Sequence, residues 1–187
     1  MNTPSFEEVA RFHGHRCPGL AIGYRMTTAA LAALSVERAA DEELVAIVEN
    51  DACGVDAVQF VAGCSLGKGN LVLRDVGKPV YTIFSRRLGR AVRVLGHRRG
   101  LPEELRDDRE GRIRWILTAP EEDVVSCRPA AIAEPPRARV VSSAVCEACG
   151  EPMMETRLRF VDGQSLCIPC AEARGASSDD PEAGSAG

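Results

Sequence analysis

Four cysteines near the C-terminus constrain this chain more than any other feature. They stand as Cys146-x2-Cys149 and Cys167-x2-Cys170, with seventeen residues between the pairs. Each pair puts two thiolates on one tight turn, and two such pairs supply the four sulfurs of a closed tetrahedral zinc shell. Gly150 follows Cys149 directly and allows the positive φ that such knuckles need. Between the pairs, "METRLRFVDGQSL" reads as two short strands turning at Asp162–Gly163, a common hairpin dipeptide. The second pair runs into "AEAR", which reads as a short helix. The expectation is a treble-clef or zinc-ribbon finger over 145–172. A module this small has little core, so its structural zinc folds it. Two disulfides or an iron–sulfur cluster are the competing uses of the same thiols.

The rest of the 187 residues is long enough for one good core. Aromatics are scarce (one Trp, two Tyr, five Phe), so that core is built from Ala, Val, Leu and Ile. The net charge of −4 gives no overall basic field that would draw the chain to nucleic acid. The apolar runs are broken by charge well short of the ~20 residues of a membrane helix. "MNTPSFEEVARF" has neither the basic nor the apolar region of a secretory signal. A cytoplasmic location and no membrane contact follow as expectations. In a reducing compartment, the remaining thiols are ligands or reactive groups rather than disulfides.

Residues 5–11 read as a short helix with a Ser5/Glu8 capping box, and 19–34 as a buried helix. Residues 44–50 read as a buried strand, and 53–63 as a helix ending near Gly63. Three strands follow at 70–75, 79–85 and 90–96, with "VGKP" (76–79) as a hairpin turn. Helices are predicted at 102–108 and 110–120, the second stopped by Pro120. Adjacent strands with helices on either side make the fold α+β, with an antiparallel or mixed sheet flanked by helices. This core domain covers 1–127. The stretch 128–144 holds three prolines and reads as a linker, and 173–187 as a disordered acidic tail.

The chemistry concentrates in "FHGHRCPGLAIGYR", which holds two of the three histidines. Pro18 biases Cys17 toward extended backbone. In an extended segment His13, His15 and Cys17 share a face, which is a metal-ligand arrangement. Pro18 also suits the first turn of the next helix, placing Cys17 at its N-cap, where the helix end favours a thiolate. An ordinary helix start with an inert cysteine remains the alternative. Cys53 and Asp56 lie one turn apart on one helical face. Cys64 returns near that face about 16 Å further on, so an unbroken helix cannot bring Cys53 and Cys64 to one ion. Cys53 is therefore the better partner for the His–Cys group. "GCSLGKGN" fails as a phosphate loop, because its glycines are too close and no Ser or Thr follows Lys68. Lys68 and Asn70 read instead as polar groups on a loop. The arginines of "SRRLGRAVRVLGHRRG" lack stacking aromatics, so nucleic-acid binding through them is not expected.

Three blocks in order, "FHGHRCPGLAIGYR", "DACGVDAVQFVAGCSLGKGNLVLRD" and the four-cysteine segment, resemble the FmdE family. That family is related to the E component of formylmethanofuran dehydrogenase. The resemblance implies an α+β core, a treble-clef finger and a homodimer. It places a metal-containing active site at His13, His15, Cys17 and Pro18, at Cys53, Asp56 and Gln59, and at Cys64, Lys68 and Asn70. The parent enzyme is a molybdenum or tungsten complex that reduces carbon dioxide, with catalysis in other subunits. The chain is thus expected to bind a structural zinc and a second core metal, zinc or another transition metal. It would serve as an enzyme or as an accessory of molybdenum-enzyme subunits. By residue type, Asp56 suits a general acid/base and Lys68 an anion contact. A non-enzymatic zinc-finger adaptor is the rival class, and Cys17 as nucleophile with a histidine base a third reading.

Overall fold

A computed structural model describes residues 3–176. The expected acidic tail therefore lies, from 177 on, outside the described residues. The chain divides into two compact units, Met1–Ala138 and Arg139–Gly187.

In the first unit, helix α1 spans Phe6–His13. The Glu8 amide donates to Ser5 Oγ and the Ser5 amide to Glu8 Oε2, at 3.4 and 2.8 Å, as the capping box requires. Helix α2 spans Pro18–Leu34 with Cys17 as N-cap. Strand β1 is Leu44–Val48, and helix α3 is Gly54–Ala57, continued by one wide π turn over Val58–Ala62. Gly63 ends that turn with φ 72°, and a Cβ there would lie 2.4 Å from the Ala39 carbonyl oxygen. Strands β2 (Leu71–Leu73), β3 (Val80–Ser85), β4 (Arg90–Gly96) and β5 (Val125–Ala130) complete a sheet ordered β2-β1-β3-β4-β5. Only the β1–β2 pair is parallel. Residues of α2, including Leu20, Met26 and Leu34, share the main core with Ile83, Val92 and Val94 of the sheet. The mixed sheet and the flanking helices are those of the expected α+β class.

Three local readings are corrected. "VGKP" is not a hairpin turn, because β2 and β3 lie on opposite sides of β1. The segment instead crosses the end of β1, with the Val76 and Lys78 amides donating to the Glu49 carbonyl at 3.1 and 3.0 Å. The predicted helix at 102–108 shrinks to a single turn, Glu103–Leu105. No residue of that turn is buried, and Asp108 caps the helix expected at 110–120, α4 (Arg109–Thr118), through the Gly111 amide at 2.8 Å. Residues 125–130 form the edge strand β5, so the sheet runs on past 127. A short helix, α5 (Glu121–Val124), leads into it. The following Pro-rich stretch is held by Arg86, whose guanidinium donates to Glu134 and to the Pro135 carbonyl, both at 2.7 Å. That side chain is 4% exposed.

Among its described residues, the second unit holds two hairpins and a helix. Strands β6 (Ser143–Val145) and β7 (Pro152–Met154) flank the first knuckle. Strands β8 (Arg159–Val161) and β9 (Gln164–Leu166) turn at Asp162 and Gly163, with φ 49° and 79°. Both central residues having positive φ is what a two-residue hairpin requires. Cys167 then caps helix α6 (Ile168–Glu172). The buried core of this unit is Cys146, Leu166 and Ala171.

Candidate metal centres

In the finger, the sulfurs of Cys146, Cys149, Cys167 and Cys170 lie within 4.8 Å of one another. The knuckle closes as the Gly150 amide donates to the Cys146 carbonyl at 2.8 Å, with Gly150 at φ 77°. The Cys167 amide donates to Cys146 Sγ at 3.3 Å. Amides of Cys149 and Cys167 hold the Cys146 thiol down to about 6. The crowded neighbours Cys167 and Cys149 push Cys170 up to about 12. Four convergent sulfurs, one held as thiolate by backbone amides, fit a structural zinc.

In the first unit, His13, His15, Cys17 and Cys53 offer ligand atoms that likewise lie within 4.8 Å of one another. The two imidazoles and Cys17 do not meet through an extended segment, as their spacing suggested. His13 is the last residue of α1, and Gly14 turns the chain left-handed at φ 91°. That turn brings His15 back beside His13, with ring centroids 4.4 Å apart. Cys17 is the α2 N-cap and its sulfur accepts the Leu20 amide at 3.2 Å. Cys53 arrives from the far side as the residue before α3. A Cβ on Gly23 would lie 2.3 Å from the Gly54 Cα, so the α2 and α3 backbones touch where Cys53 enters. Burial, then the neighbouring Cys17, pushes the Cys53 thiol up.

Asp56 stands behind His13 and, like it, borders an open cavity. Its Oδ2 lies 2.6 Å from His13 Nδ1, and its Oδ1 accepts the Gln59 amide at 3.0 Å. This carboxylate fixes the ring so that Nε2 faces Cys17 Sγ, 4.0 Å away. His13 and Cys53 also line a cavity of about 330 Å³ whose apolar wall is Val48, Val55, Leu66, Leu71 and Leu73.

Cys64, Lys68 and Asn70 are not brought to this cluster. Cys64 is fully buried, and burial pushes its thiol up to about 12. The π turn and Gly63 end the helix before it. Lys68 donates to the Asp41 carbonyl at 3.0 Å. Asn70 is fully buried and ties Leu44, Asp41 and Ser65 together through backbone hydrogen bonds of 3.0, 3.1 and 2.9 Å. Gly23, Gly54 and the cavity wall were not foreseen. A glycine inside an apolar helix costs about 1 kcal/mol against Ala, and that cost was the available sign of a close backbone approach at Gly23.

Residues 12–126 match the model of the family described as "FmdE, Molybdenum formylmethanofuran dehydrogenase operon". Residues 141–174 match the "Prokaryotic dksA/traR C4-type zinc finger". A relative from Archaeoglobus fulgidus, described as "Probable S-adenosyl-L-methionine-binding protein", is 34% identical over 193 aligned residues. The match covers 86% of this chain and 50% of that protein, so this chain spans about half the relative's length. The crystal structure of a tungsten formylmethanofuran dehydrogenase FmdE-like protein from Syntrophus aciditrophicus superposes with a TM-score of 0.69 at 23% identity. It covers 95% of this chain and 100% of its own, and shares the fold. Among the described residues, no helix is long and apolar enough to cross a membrane.

Proposed function

The chain belongs to the FmdE family, and from that premise we propose that it is a metal-binding protein whose working centre is the His13, His15, Cys17 and Cys53 cluster. The convergence of those four ligand atoms within 4.8 Å carries this reading. Tetrahedral zinc needs ligand atoms about 3.3–3.8 Å apart, and two imidazoles with two thiols suit zinc or another borderline transition metal. A bound ion would supply Lewis-acid chemistry. Asp56 holds His13 in the ligating tautomer, with Gln59 steadying the carboxylate. His15 is exposed, so it is the ligand that a substrate or water can displace. The finger's zinc is structural. The family's name supports an accessory role beside a molybdenum or tungsten one-carbon oxidoreductase, as a cytoplasmic homodimer.

Metal per chain tests this. The purified protein is expected to hold two ions, falling to one in Cys17→Ala. One ion in both proteins overturns the core centre and favours the zinc-finger adaptor or Cys17 as a nucleophile.

A second reading, binding of S-adenosyl-L-methionine, is supported by the Archaeoglobus relative, whose match takes in 86% of this chain. Equilibrium dialysis with labelled S-adenosyl-L-methionine decides it: retention places binding in the half that the two proteins share, and free passage removes this reading.

A further inference from the structure

We infer that the cavity over the core centre takes a small organic cation, an ammonium group on an apolar body, and rejects anions; this rests on the reading of His13 and Cys53 as metal ligands. The cavity is about 330 Å³, at the small end of ligand pockets. Its wall of Val48, Val55, Leu66, Leu71 and Leu73 offers an aliphatic surface to the body of a ligand. Its polar groups decide the rest. No Lys or Arg lines it among the described residues. Lys68, the loop lysine in the FmdE-like motif, is engaged by the Asp41 carbonyl.

The hydrogen-bonding inventory leans toward acceptors. Asn50 donates one N–H to the Lys78 carbonyl at 2.8 Å, and its oxygen accepts the Ala52 amide at 3.3 Å. Gln59 donates one N–H to Asp56. Asp56 is occupied by His13 and Gln59. Two lining acceptor groups, the Gln59 carbonyl oxygen and the Asp51 carboxylate, are engaged by no hydrogen bond among the described residues, beside one N–H each of Asn50 and Gln59. A divalent ion with two thiolates and two neutral imidazoles carries no net charge, so Asp51 and Asp56 leave the cavity negative. A ligand anion would meet like charge and no Lys or Arg, only the second N–H of each amide, whereas an ammonium finds a carboxylate and a field of the right sign.

The test is calorimetric titration of the zinc-loaded full chain at neutral pH with n-hexylamine, n-hexanoate and n-hexanol, which share one apolar body. Hexylammonium is expected to bind at least about tenfold tighter than hexanoate, with hexanol between them. Asp51→Asn should weaken hexylammonium about three- to fivefold, the range of an exposed ion pair, without weakening hexanoate. Equal or inverted preference, absence of binding by all three, or an unchanged Asp51→Asn overturns the inference. Metal analysis of the same samples separates the two levels. One zinc per chain overturns the core metal centre and this inference with it. Two zincs with the wrong preference overturn this inference alone.

Discussion

Replacing Gly23 by Ala should cost the protein about 3 kcal/mol and, with the core cluster as the proposed metal centre, most of the metal bound there. Helix propensity alone predicts the opposite sign, because Ala is favoured over Gly inside a helix by about 1 kcal/mol. Packing decides the outcome. The new Cβ would lie 2.3 Å from the Gly54 Cα and 2.5 Å from the Gly54 carbonyl oxygen. These are backbone atoms with no rotamer to escape into, so α3 must move away from α2. Behind Gly54, a Cβ would already meet the Tyr81 hydroxyl at 2.4 Å, so the space on that side is filled as well. Cys53 precedes Gly54 and moves with α3, which takes one ligand off the cluster. Urea unfolding and metal analysis read the two effects together. Gly19→Ala, one turn earlier, is the control. Its Cβ would sit 3.4 Å from the Cys53 Cβ, an ordinary contact, so stability and metal should change little. A Gly23→Ala protein as stable and as metal-rich as the parent would refute the close-contact account.

Withdrawing zinc from the finger should unfold it. The buried core of that unit is Cys146, Leu166 and Ala171, and one of the three is a ligand. Without the ion, four crowded thiols replace the bond network that the knuckles were built around, and a module of this size has little else to hold it. A strong chelator should therefore abolish hydrogen-exchange protection of the amides of Cys146, Gly150 and Cys167, and added zinc should restore it. Protection that persists in a chelated, metal-free sample would show that the hairpins fold on their own. The pH dependence has a definite sign. At neutral pH Cys146, held at about 6, is already a thiolate, whereas Cys170, at about 12, keeps its proton. Zinc must displace that proton, so affinity rises with pH and falls on acidification, most steeply as Cys146 itself becomes protonated.

The finger was legible because its signal is covalent and local. Two C-x2-C pairs, Gly150 and Asp162–Gly163 each specify backbone within a few residues, and the hairpins form where those residues stand. The Ser5/Glu8 cap and the α2 start at Pro18 were legible for the same reason. The sheet was legible as strands but not as an order. Nothing local in "VGKP" tells whether the chain folds back on β2 or crosses β1 to reach its far side. That choice depends on α3 and the π turn, which carry the chain from β1 to a parallel β2.

The sequence by itself singled out the candidates: the four cysteines of the finger, and in the core a set holding His13, His15, Cys17 and Cys53 together with Cys64, Asp56, Gln59, Lys68 and Asn70. It also limited how they could combine, since the rise of a helix separates Cys53 from Cys64. Tertiary structure alone decided the rest. Gly14 made the two imidazoles neighbours, where an extended strand had been expected. The Gly23–Gly54 contact delivered Cys53 to Cys17 across 36 positions of chain. Asp56 became the support of His13, while Asn70 and Lys68 were taken up in holding a loop. A residue type fixes the reactions available to a side chain, but its partner is set by packing between segments distant in sequence, and no local spacing records that.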